Sequence, residues 1–539
     1  MKSAMRTPVG IPSRRGSRAS QRGLGLLVVL VVAGVLAVVL VGNVVVRQRL
    51  EQVRADATRE ALARAKEALI AYAVGRMDHT FDGVRDMPGR LPCPAIWPPT
   101  ESNPEGSTAP LGCGSQNETV VGHLPWRTLG IPAPRDAAGE CLWYVVSGRF
   151  KHAPRSSDIF NWDTEGQIRV LRADGSLMAD RVAAVIIAPG PALDQTRAIA
   201  AGAVTCPGSY VAADYLDEDH GASNRTMATS ASPAEPATSV VIDGGVDPAT
   251  GQERVNDRVA IITTAELVDA AARRKDYGVR ALPNVAGSDA GRQRLLTYAV
   301  ALCLARYAGT ANANDRRLPW AGTREQPFAL TQTAPNAPIA STPDLLTGRA
   351  PSAMTGGPLN SGDADSSFGN AAGTLLQHDG GNCNSQMAPV RSAWDQWRDH
   401  LYYAVSPDYT PDVPRNNATC GGSTGSNRCL KVNGSTARYA AVVIFAGRRL
   451  VGQNRPQWSA ATPTPLPIRE TYANYLETPF NLENIERAYR ASAPPDPVLA
   501  PDRYTYRSDL AATSTQDDFA YCVEVGSSPT AVAVVTPCP

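Results

Sequence analysis

GGSTG at 421–425 places Ser423 in the G-x-S-x-G spacing of a nucleophile elbow, where a serine hydroxyl would attack an acyl carbon. That chemistry needs a strand before the serine and a helix after it. Here the segment lies between Cys420 and Cys429 and leads into an apolar strand pattern, so it reads as a loop. The six histidines contain no HExxH pattern, and His123 and His400 read as loop and core-edge residues rather than general bases. Asp363, Asp365 and Ser367 are spaced like the start of a calcium loop. Gly369 comes one place late, however, and Thr374 stands where the closing Glu belongs, which excludes an EF-hand. An irregular calcium site at Asp363 and Asp365, or near Asp214, Asp217 and Asp219, stays open; no other cofactor is expected. Trp126, Trp394 and Trp397 read as packing residues, with a sugar- or partner-binding surface as the alternative. No catalytic constellation emerges, and the expectation is a protein that is not an enzyme.

Ten cysteines with no C-x-x-C pair argue for disulfides made in an oxidising compartment rather than for zinc. Three short loops are expected to close: Cys420 with Cys429, Cys522 with Cys538, and Cys93 with Cys113. Each closure would contribute on the order of 3 kcal/mol in the loop-entropy picture. Cys141, Cys206, Cys303 and Cys383 cannot be paired from spacing.

The elements that must position these residues come in two sets. DAAGECLWYVVS, from Asp136, aligns with DQWRDHLYYAVS, from Asp395, and LRADGS, from Leu171, aligns with LKVNGS, from Leu430. The DG and NG pairs mark tight hairpin turns. RVAAVIIAPG, from Arg181, then matches RYAAVVIFAG, from Arg438. Upstream, GRLPCP from Gly89 matches RRLPWA from Arg316, and EALIAYAV from Glu67 matches QRLLTYAV from Gln293. A YL pair follows at Tyr215 and at Tyr475. Each copy reads as a helix, an RLP loop and a small antiparallel sheet, giving an α+β fold built by internal duplication.

Before the first copy, a basic leader over 1–23 without any Asp or Glu runs into an uncharged apolar segment at 24–46. It is long enough to be read as a transmembrane helix. The helix pattern continues through an amphipathic half, 47–78, in which Leu50, Val53, Ala57, Ala61, Leu62, Ala65, Leu69 and Ala73 recur at helical spacing. Basic residues before the span place the N-terminus in the cytoplasm and the remainder in the periplasm. The rest of the chain lacks a basic footprint, so nucleic acid is set aside.

These features resemble the type IV pilin and type II secretion pseudopilin superfamily. The matching residues are Arg22 and Gly23 at the end of the leader, Leu24 as the first apolar residue, and the uninterrupted helix; LPWRTLGIPAPRDAAGECLWYVVS is similar to patterns in large prepilin-like proteins. The resemblance implies cleavage between Gly23 and Leu24 by a prepilin peptidase, N-methylation of Leu24, and a long helix packed on an antiparallel sheet. It implies as partners other pilin or pseudopilin subunits and the inner membrane. Val28 departs from the family, which usually has Glu at the fifth mature position to offset a neighbour's amine. That departure indicates either a plain anchor or a tip subunit with no subunit ahead of it.

The organisation expected is therefore a leader (1–23), an apolar half-helix (24–46), an amphipathic half-helix (47–78), a first lobe (79–285), a second lobe (286–500) with a Pro/Gly/Ser/Thr-rich loop at 322–386, and a C-terminal hairpin (501–539). The function expected is structural: a minor pilin or pseudopilin at a filament tip that primes assembly, adheres or presents a substrate. The alternative is an unprocessed, membrane-anchored periplasmic binding protein.

Overall fold

The computed structural model describes residues 20–75, most of 80–272, 292–310, and segments between 318 and 351 and between 394 and 538. Two compact units make up the chain, 1–60 and 61–539. Helix α1, Ser20–Gly75, starts in the first and ends in the second, and Gly23, Leu24 and Val28 lie within it. Among the described residues no helix is long and apolar enough to cross a membrane, which corrects the transmembrane reading of 24–46.

In the second unit the end of α1 is buried. Ala61, Leu62, Ala65, Leu69 and Ala73 form one stripe, whereas Leu50 and Val53 remain exposed. The stripe packs on a four-stranded antiparallel sheet made of β1 (Val120–His123), β2 (Trp143–Val146), β5 (Ala184–Ala188) and β7 (Arg258–Ile262), in the order β7-β5-β2-β1. A second layer covers the opposite face: β3 (Ile168–Leu171) and β4 (Leu177–Val182) form a hairpin, and β6 (Ser239–Ile242) pairs parallel to β3. Alternation along β2 explains the run WYVV. Tyr144 and Val146 face the helix, while Trp143 and Val145 face the second layer, so both sides must be apolar. Helix α2, Thr264–Ala272, follows β7 and adds Leu267 to the helix-side core.

The same layers recur in the second half. Helix α3, Arg292–Thr310, buries Leu296, Ala299, Val300, Cys303 and Leu304 on a sheet ordered β8-β9-β11-β13-β14. Its strands are β8 (Thr347–Arg349), β9 (Leu401–Val405), β11 (Ala441–Phe445), β13 (Phe519–Glu524) and β14 (Val534–Pro537). On the far face β10 (Lys431–Val432) pairs parallel to β12 (Thr505–Tyr506). Tyr144 lies opposite Ile186 in the first sheet and Tyr403 opposite Val443 in the second, the register that the aligned segments require. Loop bonds repeat as well. Leu91 N–H donates to Phe150 O and Leu318 N–H to Tyr409 O; Ser147 N–H donates to Ala183 O and Ser406 N–H to Ala440 O.

The C-terminal hairpin is the β13–β14 pair, hydrogen-bonded through β13 to β11 and thus part of the second sheet. Strand β8 lies inside 322–386, where composition indicated only a loop. Its Gly348 faces the Gly322 carbonyl so closely that no Cβ would fit. The expected disulfides Cys93–Cys113, Cys420–Cys429 and Cys522–Cys538 are formed, and Cys141–Cys206 joins two cysteines that spacing could not pair. Cys303 is also disulfide-bonded, and Cys383 lies outside the described residues.

Candidate functional site

Ser423, Asp363 and Asp365 lie outside the described residues. Asp214, Asp217 and Asp219 do not converge on one point. Asp214 bonds Ser209, Asp217 is held by Gln195 and the Asn256 amide, and Asp219 pairs with His220. One group of potential metal ligands exists among the described residues, Asp408 with Cys420 and Cys429. Those sulfurs are joined in a disulfide and offer no thiolate, and Arg428 already sits 3.3 Å from Asp408. The donor set does not fit a metal ion. Trp394 and Trp397 are buried in the second core, and Trp126 packs against Gly106, as the packing reading expects.

Both histidines are interior rather than at the core edge. His123 ends β1 with its ring 4.2 Å from those of Trp143 and Tyr210. Burial lowers it to about 4, against smaller opposing effects of the Ser209 backbone and the Glu105 charge, so the ring is neutral near pH 7. Register places Arg349 at the equivalent point of the second sheet, opposite Tyr402 as His123 is opposite Trp143. Its guanidinium covers Tyr402, Tyr472 and Tyr475 at 5.4–5.9 Å.

His400 is fully buried just before β9. Its Nδ1–H donates to Ala446 O at 3.0 Å, and its Nε2 lies 3.0 Å from Asp163 Oδ2. Asp163 belongs to the first lobe, distant in sequence. The carboxylate arrives on the turn Asn161–Glu165, which the sequence reading did not single out. Its backbone is fixed locally: Thr164 N–H donates to Asn161 O at 3.1 Å, Asp163 N–H to Asn161 Oδ1 at 2.8 Å, and Asn161 N–H to Thr164 Oγ1 at 2.9 Å. Trp162 on the same turn meets Trp397 edge-on at 4.7 Å and Phe445 at 6.2 Å, with Arg448 5.5 Å above its ring. Arg455 Nη1 comes within 3.9 Å of Asp163 Oδ1, Arg449 within 3.5 Å of Glu165, and Arg448 within 3.0 Å of Asp269. Burial alone would raise the Asp163 carboxyl, but His400, Arg455 and Arg449 outweigh it and hold it below its ordinary range.

A carboxylate clasp occurs once in each lobe. Asp217 N–H donates to Asp257 Oδ2 at 2.8 Å and Asn224 Nδ2–H to the same oxygen at 2.8 Å. Glu477 N–H donates to Asp518 Oδ2 at 3.2 Å, and Asn481 Nδ2–H to it at 3.1 Å. Asp257 and Asp518 stand just before the equivalent strands β7 and β13. Burial and, second, the Asp217 charge push Asp257 up to about 8, while its Oδ1 has no hydrogen-bond partner among the described residues. The clasp is a closed structural joint rather than an acid–base pair open to substrate.

A pH dependence follows. The unfolded carboxyl ionises near ~4, so stability gained by keeping the Asp257 proton is complete below that pH and is lost as pH rises through about 8. Asp257→Asn mimics the protonated group. Thermal denaturation should show it matching wild type near pH 4 and exceeding it at pH 8 by on the order of 3–5 kcal/mol. An equal difference at both pH values would refute the assignment.

No known family model, curated protein or solved structure matches the chain.

Proposed function

We propose that this chain is a structural subunit of the pilin and pseudopilin kind, with a duplicated helix-plus-sheet head, acting in few copies at a filament tip. Its role there is to prime assembly, adhere or present a substrate, and it performs no chemistry of its own. The observation that carries this reading is the burial of Ala61, Leu62, Ala65, Leu69 and Ala73, the last turns of the 56-residue α1, on an antiparallel sheet, followed by α3 on a sheet of matching order. The charged groups also support it: the clasps and the His400–Asp163 pair are buried between elements where a substrate has no access.

The tip position rests on two features. Val28 supplies no carboxylate for a neighbour's amine, and two lobes per subunit would crowd a narrow helical fibre. Partners on this reading are other pilin-type subunits and a prepilin peptidase.

The test is co-expression with a prepilin peptidase, followed by intact-mass measurement and N-terminal sequencing. The expected product begins at Leu24, and Gly23→Ala should abolish cleavage. An unprocessed Met1 or Lys2 terminus in the presence of active peptidase would overturn the pilin reading.

A further inference from the structure

We propose that the second lobe carries a binding site for an acidic, tryptophan-bearing peptide loop, filled in this chain by Asn161–Glu165 of the first lobe. The acceptor has separate places for an aromatic anchor and for two carboxylates. Trp397, Phe445 and Arg448 receive Trp162; His400 and Arg455 receive Asp163; Arg449 receives Glu165. A buried aromatic flanked by paired charges is the arrangement that concentrates binding energy in few residues.

Comparison of the two lobes shows that this chemistry is peculiar to the second. Arg197 repeats the bonds of Arg455: it donates to Gly190 O and Tyr215 O, as Arg455 donates to Gly447 O and Tyr475 O. The carboxylate that faces Arg197 is Glu140 of its own lobe, at 2.9 Å. Where the second lobe has His400, immediately before the aligned Leu401, the first has Cys141 in its disulfide with Cys206. The first lobe therefore closes this position with its own residues, and the second takes its counter-charge from outside.

The ligand loop is also formed in advance. Its turn bonds run among Asn161, Asp163 and Thr164, and at its base Gly166 N–H donates to Arg181 O at 3.0 Å, all without the second lobe. The three turn bonds lie within residues 161–164, so a short peptide of this sequence carries them with it, and of these bonds only the one to Arg181 is lost. In the intact chain the tether holds the loop at an effective concentration of order millimolar, and an added peptide must compete with it.

The experiment uses the full chain with Trp162→Ala and Asp163→Asn, which empties the site, and a fluorescein-labelled synthetic peptide IFNWDTEGQ (residues 159–167) followed by anisotropy. The variant should bind the peptide at least about tenfold more tightly than wild type, whose site is occupied in cis. A peptide with Ala for Trp and Asn for Asp should not bind. If the double variant does not fold, Asp163→Asn alone, which keeps the side-chain volume, provides the partly emptied site. Absence of binding to a folded variant, equal binding to wild type, or equal binding of the altered peptide would overturn the proposal. The result is independent of how the N-terminus is processed.

Discussion

Arg455→Met should lower the unfolding free energy by about 3–5 kcal/mol, the range for removing one partner of a buried charge pair. The guanidinium is fully buried and donates to Gly447 O at 2.7 Å, Gln453 Oε1 at 2.8 Å, Tyr475 O at 3.1 Å and Asn474 O. Methionine fills much of the volume but leaves these acceptors without their donor, the carbonyls of Gly447 and Tyr475 in buried positions. Asp163 loses one of the positive charges that keep it ionised, and Asp518 loses a charge that opposes its burial. Arg197→Met should cost less, because Glu140 is 27% exposed and can turn to solvent. Denaturant titration of both variants checks the order. If Arg455→Met and Asp163→Asn are combined, the loss should fall short of the sum of the single losses; strict additivity would show that the two side chains are not coupled.

Gly166→Ala should cost about 2–4 kcal/mol and partly expose Trp162. The glycine stands at the base of the docking turn, and a Cβ there would enter the carbonyl of Val182. That carbonyl is backbone at the end of β4, so relief requires moving a strand rather than a side-chain tip. The adjoining turn carries Trp162 and Asp163, and a shift at its base moves both away from Trp397 and His400. Tryptophan emission should shift to the red along with the lower melting temperature. Gly139→Ala is the contrast: its φ is +87° and nothing lies within 4 Å of the added carbon, so it incurs only backbone strain, about 1 kcal/mol. Equal losses at the two glycines would remove the steric argument.

Much of the fold could be read from adjacent residues because adjacent residues create it. The stripe Ala61, Leu62, Ala65, Leu69, Ala73 is a helical repeat, and it is the buried face. The paired segments ending WYVV and YYAV, and those containing AVIIA and AVVIF, became equivalent strands in equivalent register. The NG turn at Asn433 and Gly434 has positive φ at both residues, whereas in the DG turn only Gly175 does; a register shift in the β3–β4 hairpin absorbs the difference. Three disulfides were legible because short separations leave their cysteines near one another in almost any chain conformation.

Other features depended on contacts that no spacing encodes. Pairing of Cys141 with Cys206, the place of the C-terminal hairpin in the second sheet, and β8 within a polar segment each need a strand order that exists only once the sheets assemble. Asp257 and Asp518 look like ordinary residues before a strand; their partners Asp217 and Glu477 are brought to them by layer packing. His400 shows the division most plainly. Its place just before an apolar strand follows from the pattern around Leu401, but its charge partner Asp163 comes from the other lobe, 237 residues earlier (400 − 163). Local pattern determines which faces are apolar and where turns fall, since those are set by backbone period and steric preference. Which buried charges meet is decided by tertiary structure, because desolvation makes their pairing obligatory only after both lobes have excluded water.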